Sequence, residues 1–236
     1  MTEMIGKVFG QVLSGIYGFT GSYGLSIIVF TFLVKLLLAP LTVKQTKSTV
    51  AMQEITPRVE EIKVKYKNKP EKQNEEIMKL YQTANINPMS GCLPLLIQFP
   101  ILIGLFNLLR DPVGLGAFAN QAAFEAANGS FLWMRNLTSP DYILAIVSGA
   151  SAFIMQKIMT PKDQTNGQMK MMTYMMAGMS LYWGFVFPAG LTLYWSISNI
   201  FAVIQQLVIT KPLKAKLEAE MKGAKGNGKT GSKNKK

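Results

Sequence analysis

The sequence predicts an all-α integral membrane protein, and three observations predict it. Apolar residues make up 49% of the 236 positions and are gathered in blocks. A hydrocarbon core of ~30 Å is crossed by about 20 helical residues, and the blocks have that length. Lysine and arginine are distributed unevenly among the segments that join the blocks. Polar residues also recur inside the blocks at helical spacing, which is how helices packed among other helices read.

Five transmembrane helices are expected, at residues 22–42, 91–110, 141–160, 169–187 and 189–210. The second carries Pro94, Gln98 and Pro100, and the third Ser148, Gly149 and Ser151. Such interruptions suit helices surrounded by protein better than helices bathed in lipid. Of 25 basic residues, nine lie in 43–90, nine follow Ile209, and Lys157, Lys162 and Lys170 lie between spans three and four. Lys7, Arg110 and Arg135 fall in the opposite compartment, and Lys35 lies within a span. The positive-inside rule then puts the N-terminus outside and the C-terminus in the cytoplasm.

Between the spans the chain reads as follows. Residues 1–21, with Val8, Val12, Leu13 and Ile16 near helical spacing, predict an amphipathic helix on the outer surface. A signal peptide fits less well, because a single basic residue precedes a glycine-interrupted stretch. Residues 43–90 predict a cytoplasmic helical hairpin. Met52, Ile55, Val59, Ile62 and Tyr66 recur every three or four positions, Asn68-Lys69-Pro70 turns the chain, and Ile77, Tyr81 and Ala84 continue on the second arm. Pro57 is expected to kink or restart the first arm. The hairpin is either a solvated structural arm or a docking element. Residues 111–140 form an outer loop too short for an independent domain, and Lys162 to Gly167 a polar turn. Pro188-Ala189-Gly190 makes spans four and five adjacent and antiparallel. Residues 211–236 read as a disordered basic tail.

The sequence has no histidine and one cysteine, Cys92. Histidine acid–base chemistry, Cys/His zinc sites and disulfides are excluded, and no metal or cofactor is expected. The net charge of +12 is mainly a topology signal rather than a sign of DNA binding. Inside the spans, Lys35 is the charge that needs an account, since an ammonium in hydrocarbon costs roughly 2.5–3.5 kcal/mol on insertion scales. Thr31 lies one turn before it. In span five Tyr194, Ser198 and Gln205 share a stripe, with Trp195, Asn199 and Gln206 beside it. Lys35, Gln98, Thr173, Gln205 and Gln206 all fall toward the cytoplasmic side, the pattern of a wet cavity open to the cytoplasm. Lys35 snorkelling to the interface and ordinary interhelical hydrogen bonds are the competing explanations. The run MKMMTYMMAGM reads as adaptable packing or as a deformable surface for varied apolar partners.

No Asp or Glu lies in the interior of a span, Asp141 standing at the very start of the third, which weighs against proton-coupled or cation-coupled transport. Ser198 with Lys35 as a hydrolytic pair lacks anything like an oxyanion-hole loop, so no enzyme is expected. One cation on one helix does not make a selectivity ring.

Three segments together resemble the YidC membrane-protein insertases. They are GLSIIVFTFLVKLLLAPLTVKQTKS with MQEITPRVEEIK, INPMSGCLPLLIQFPILIGLF, and FPAGLTLYWSISNIFAVIQQ. The likeness runs from Tyr23 to Ile209 and suits the short Gram-positive form. It implies five helices around a hydrophilic groove that is open to the cytoplasm and lipid, in a bacterial plasma membrane. Lys35 takes the place of a groove arginine, which keeps the charge but loses the forked donor set. Thr31 corresponds to a groove-lining threonine. Gln98 and Pro100 correspond to a span-two motif, and Tyr194 and Ser198 to residues that meet nascent chains. Trp195 stands where a second tyrosine is common. The lipid-modified N-terminal cysteine of Gram-positive members has no match. Implied partners are nascent membrane proteins, the bilayer, the ribosome through hairpin and tail, and the Sec translocon. The alternative functions are a small-solute channel or carrier, and a structural assembly chaperone.

Overall fold

The computed structural model describes residues 2–84, 86–87, 93–160, 167–217 and 219. Its elements are α1 (Thr2–Thr20), α2 (Tyr23–Lys65), α3 (Pro70–Thr83), α4 (Leu93–Arg110), α5 (Gln121–Ala127), α6 (Tyr142–Met159), α7 (Gly167–Val186) and α8 (Ala189–Gln205). A π-helical segment, Gln206–Thr210, follows α8. There is no strand among the described residues; an isolated bridge joins Phe131 to Met134. Helices α2, α6 and the stretch Ala189–Leu217 are each long and apolar enough to cross a membrane, and Gln98–Arg110 is a shorter apolar helix. A membrane span must satisfy its backbone internally, and helices do so.

The chain divides into two compact units. The first comprises Met1–Leu38 and Ile97–Gln206, the second Ala39–Leu96 and Leu207–Lys236.

In the first unit the core is concentrated at one end. Tyr23, Ile27 and Phe30 of α2, Leu105, Leu108 and Leu109 of α4, and Leu191, Leu193 and Tyr194 of α8 are buried together. The loop contributes as much as the helices do, with Leu115, Phe118, Phe124, Met134 and Leu137 in the same cluster. Tyr23 lies edge-on to Phe118 and Phe124, with ring centroids at 5.3 and 6.0 Å. The residues expected to form a plain outer loop thus close the core, because their aromatic and leucine side chains have burial to gain. Carbonyls of this loop also cap α8: Ala189 N–H donates to Ser139 at 2.9 Å and Gly190 N–H to Leu137 at 2.8 Å. Those N–H groups lie at a helix start and have no intrahelical partner.

Helix α1 packs into this core. A Cβ on Gly10 would meet the Leu115 carbonyl, and one on Gly104 of α4 would meet Ile5. Phe9 lies edge-on to Phe30 at 5.0 Å. The expected apolar face is divided: Leu13 is buried while Val8 and Val12 are exposed. The glycines Gly6 and Gly10 open the inward face, and a count of apolar residues alone does not see them. Gly21, with φ of 60°, turns the chain into α2 in a conformation that glycine adopts without penalty.

Helix α6 packs against both α7 and α8, whereas α7 and α8 meet little. Cβ atoms added at Gly149 and Gly184 would press on Leu181 and Ala145 respectively, so small residues let α6 and α7 approach closely. Ser148 Oγ lies 2.9 Å from Ser180 Oγ, and Asn199 Nδ2 donates to Ser151 Oγ at 3.0 Å. The tight turn at Pro188 does join α7 to α8, and α6 packs against both.

In the second unit α2 continues unbroken through Pro57. The helix does not restart there. A proline inside a helix costs ~3 kcal/mol, and the buried face of Thr46, Val50, Ile55 and Val59 offsets it. Met52 and Ile62 are half-buried, and α3 has no buried residue. The arms are joined by Gln73 Nε2 donating to the Lys63 carbonyl at 2.9 Å and by Lys65 and Lys72 around the Tyr66 ring. The expected seam positions of the second arm, Ile77, Tyr81 and Ala84, are half-buried, while the fully buried ones, Ile55 and Val59, lie on the first. Residues 211–217, expected in the disordered tail, are helical. The rest of that tail beyond position 219, the turn at 161–166 and Cys92 lie outside the described residues.

Candidate functional site

The polar groups of the first unit's spans make one connected strip and several separate contacts. Lys35 Nζ donates to Gln98 Oε1 at 3.3 Å. Gln98 Nε2 in turn donates to Tyr194 OH at 3.0 Å. Three helices, α2, α4 and α8, thus each contribute one residue to a line that begins at an ammonium. Gln98 is suited to the middle because its amide offers an acceptor to the lysine and a donor to the phenol at once. Tyr194 is fully buried and presents its hydroxyl from the core. Lys35 is half-buried, and beyond it Leu36 and Leu37 are exposed.

Two more groups of α8 are short of partners. Ser198 Oγ, one turn beyond Tyr194, and Gln205 Nε2 are buried without a hydrogen-bond partner of standard geometry. A buried polar group left unpaired costs about 1–3 kcal/mol, so such groups mark where water or a polar ligand is accommodated. Gln205 is the last α-helical residue before the π-helical segment. Single π turns inside α-helices recur at functional sites, and nothing in the local composition announces this one.

Other expected site residues lie apart from the strip. Thr31 is fully buried, and its hydroxyl donates to the Ile27 carbonyl of its own helix at 2.7 Å. It lines no open surface. Pro100 sits inside α4 on an exposed face. Trp195 turns toward α7, edge-on to Trp183 at 5.8 Å, and lines a small cavity with Ser148 and Ser180. The hairpin residues Ile55 and Val59 are buried in the second unit, while Pro57 is exposed. Ser180 and the unpartnered hydroxyl of Tyr23 were not singled out by the sequence. Ser180 stands a turn from Gly184 on a face of small residues, a signal that spacing alone carries weakly.

A multi-helix chain embedded in a membrane, with one cation tied across three helices, defines an integral membrane protein of the helical-bundle class. The sequence model for the 60Kd inner membrane protein matches residues 15–216. The membrane protein insertase YidC of Oceanobacillus iheyensis is 43% identical over 210 residues, covering 84% of this chain and 78% of its own. That of Fusobacterium nucleatum is 43% identical over 195 residues, covering 82% and 88%. The chain therefore belongs to the 60Kd inner membrane protein family, that of the YidC insertases. A crystal structure of an active YidC insertase with its first transmembrane domain resolved is 28% identical, with a TM-score of 0.64. The likeness covers 85% of this chain but 46% of that one, so the chain spans less than half the length of the solved protein.

Proposed function

We propose that this chain is a membrane protein insertase, receiving apolar segments of nascent proteins along α2, α4 and α8 and releasing them into lipid. The observation that carries the reading is the Lys35–Gln98–Tyr194 strip. It offers a cation and two hydrogen-bonding groups beside exposed apolar flanks of the same helices. In this reading five spans surround a hydrophilic groove that opens to the cytoplasm, with the N-terminus outside. Lys35 attracts the acidic outer tail of a substrate, and Ser198 and Gln205 hydrate it. The apolar segment then partitions sideways, where each buried CH₂ is worth ~0.8 kcal/mol. The work of the groove is to shorten the hydrocarbon that polar residues of the tail must cross. No covalent step or cofactor is called for. The hairpin and basic tail receive ribosomes by contacts that weaken with salt, and the Sec translocon is a further partner.

The test is insertion of a single-span substrate with an acidic outer tail into vesicles holding Lys35→Arg, Lys35→Ala or Lys35→Glu protein. Arginine is expected to sustain insertion, alanine to lower it, and glutamate to abolish it. Insertion by the Glu variant equal to that of the parent would show the attraction to be wrong. Ion conduction by the purified protein with no nascent chain present would favour a channel instead.

A further inference from the structure

Among the described residues, Leu132 is the one non-glycine residue with a positive φ, 55°. Glycine or asparagine ordinarily takes that conformation, and a γ-branched apolar residue is uncommon there. Here the position holds a leucine that is 68% exposed, followed by Trp133 at 47%. The turn carrying them is not loose. Phe131 and Met134 exchange backbone hydrogen bonds of 2.9 and 3.0 Å. Met134 is buried, and the Phe131 ring occupies the space that a Cβ on Gly24 would need. Two residues root the turn in the core, and the two between them are presented outward.

The indole fixes the level at which they stand. Trp133 Nε1 donates to Asp141 Oδ1 at 3.1 Å, and the same oxygen accepts from Leu144 N–H at 2.7 Å as the N-cap of α6. Helix α6 is long and apolar enough to span the bilayer. Its capped start is where that span leaves the hydrocarbon, and the tryptophan is tied to it. Tryptophan and tyrosine gather at this boundary because an apolar ring and a polar edge each find their preferred medium there. Tyr142, the next residue after the cap, is also exposed, as are Ile143, Ile146 and Val147 along the lipid-facing flank below it. The indole is thus tied to the head of that flank.

We propose that the Phe131–Met134 turn is an interfacial anchor, with Leu132 and Trp133 seated in the boundary layer of the bilayer, and that its partner is lipid. The anchor holds the loop end of the first unit at a set depth. Its test uses Trp183→Phe with Trp195→Phe, which leaves Trp133 as the sole indole, in vesicles whose lipids carry bromine either near the headgroup or near the bilayer centre. Emission is expected to shift to the blue of free tryptophan and to be quenched more by shallow bromines than by deep ones. Water-like emission that aqueous iodide quenches fully overturns the proposal. So does a blue shift that grows with the protein-to-lipid ratio, which means a second copy covers the tip. Should the double variant fail to fold, a nitroxide on Leu132→Cys in a Cys92→Ser background gives the same decision. Oxygen collisions exceeding those with an aqueous nickel chelate support the anchor, and the reverse overturns it.

Discussion

At the end of the first unit that holds residues 110–141, rings and leucines close over one another and the loop supplies a large share of the core. Further along the same helices the picture inverts. From Phe32 onward α2 exposes Phe32, Leu33, Leu36 and Leu37, and α8 exposes Ile200 and Ile204. Lys35 is 12 residues beyond Tyr23, about 18 Å of helix rise. There Lys35 and Gln98 pair across helices, while Ser198 Oγ and Gln205 Nε2 are buried without a partner of standard geometry. One end stores the stability and the other keeps its surfaces available. A single helix serves both purposes, which is why the average apolarity of α2 says little about either.

The comparison breaks most visibly if the two ends respond alike to truncation. Phe118→Ala is expected to cost about 3–5 kcal/mol, read as the midpoint of denaturant unfolding in detergent. Leu37→Ala, on the exposed stretch, should stay within about 0.5 kcal/mol. Equal losses would mean that the strip end is packed as tightly as the loop end.

Gln98→Leu sharpens the account of the open end. It removes both bonds that join Lys35 to Tyr194. With hydrogen bonds worth about 0.5–1.5 kcal/mol each, stability should fall by about 1–3 kcal/mol. Insertion activity should fall about tenfold if some 1.4 kcal/mol of that loss is felt by the substrate. Unchanged activity with lowered stability would make the strip purely structural.

The smallest effect is expected at Ser148 and Ser180, whose hydroxyls meet between α6 and α7. Interhelical hydrogen bonds average ~0.6 kcal/mol in membranes. A double-mutant cycle with Ser148→Ala and Ser180→Ala should return a coupling near that value. A coupling near zero would show that the small residues Gly149 and Gly184 alone hold the pair together.

The helical class was legible in the sequence from its apolar blocks, and Lys35, Gln98 and Tyr194 stood out singly as polar residues within them, but their joining across three helices did not. What escaped were features set by chain-distant packing. Val8 and Val12 share apolarity with Leu13, yet the inward face of α1 is chosen by Gly6 and Gly10, which admit Leu115. Thr31 has the right spacing from Lys35, but its hydroxyl is taken by its own helix. Trp195 lies beside Tyr194 in sequence and is turned by Trp183 toward another helix. Pro57 carries a strong local signal that buried neighbours override.

The capping of α8 by Ser139 and Leu137 has a consequence for how the protein is made. The partners of those first N–H groups lie some 50 residues earlier in the chain, before the two intervening helices α6 and α7. Helix α8 can settle without bare amide groups only after the earlier loop has folded. The order of synthesis, N-terminus first, delivers the cap before the helix that needs it. A protein proposed to install other helices in a membrane thus carries, in one pair of carbonyls, a provision for finishing its own.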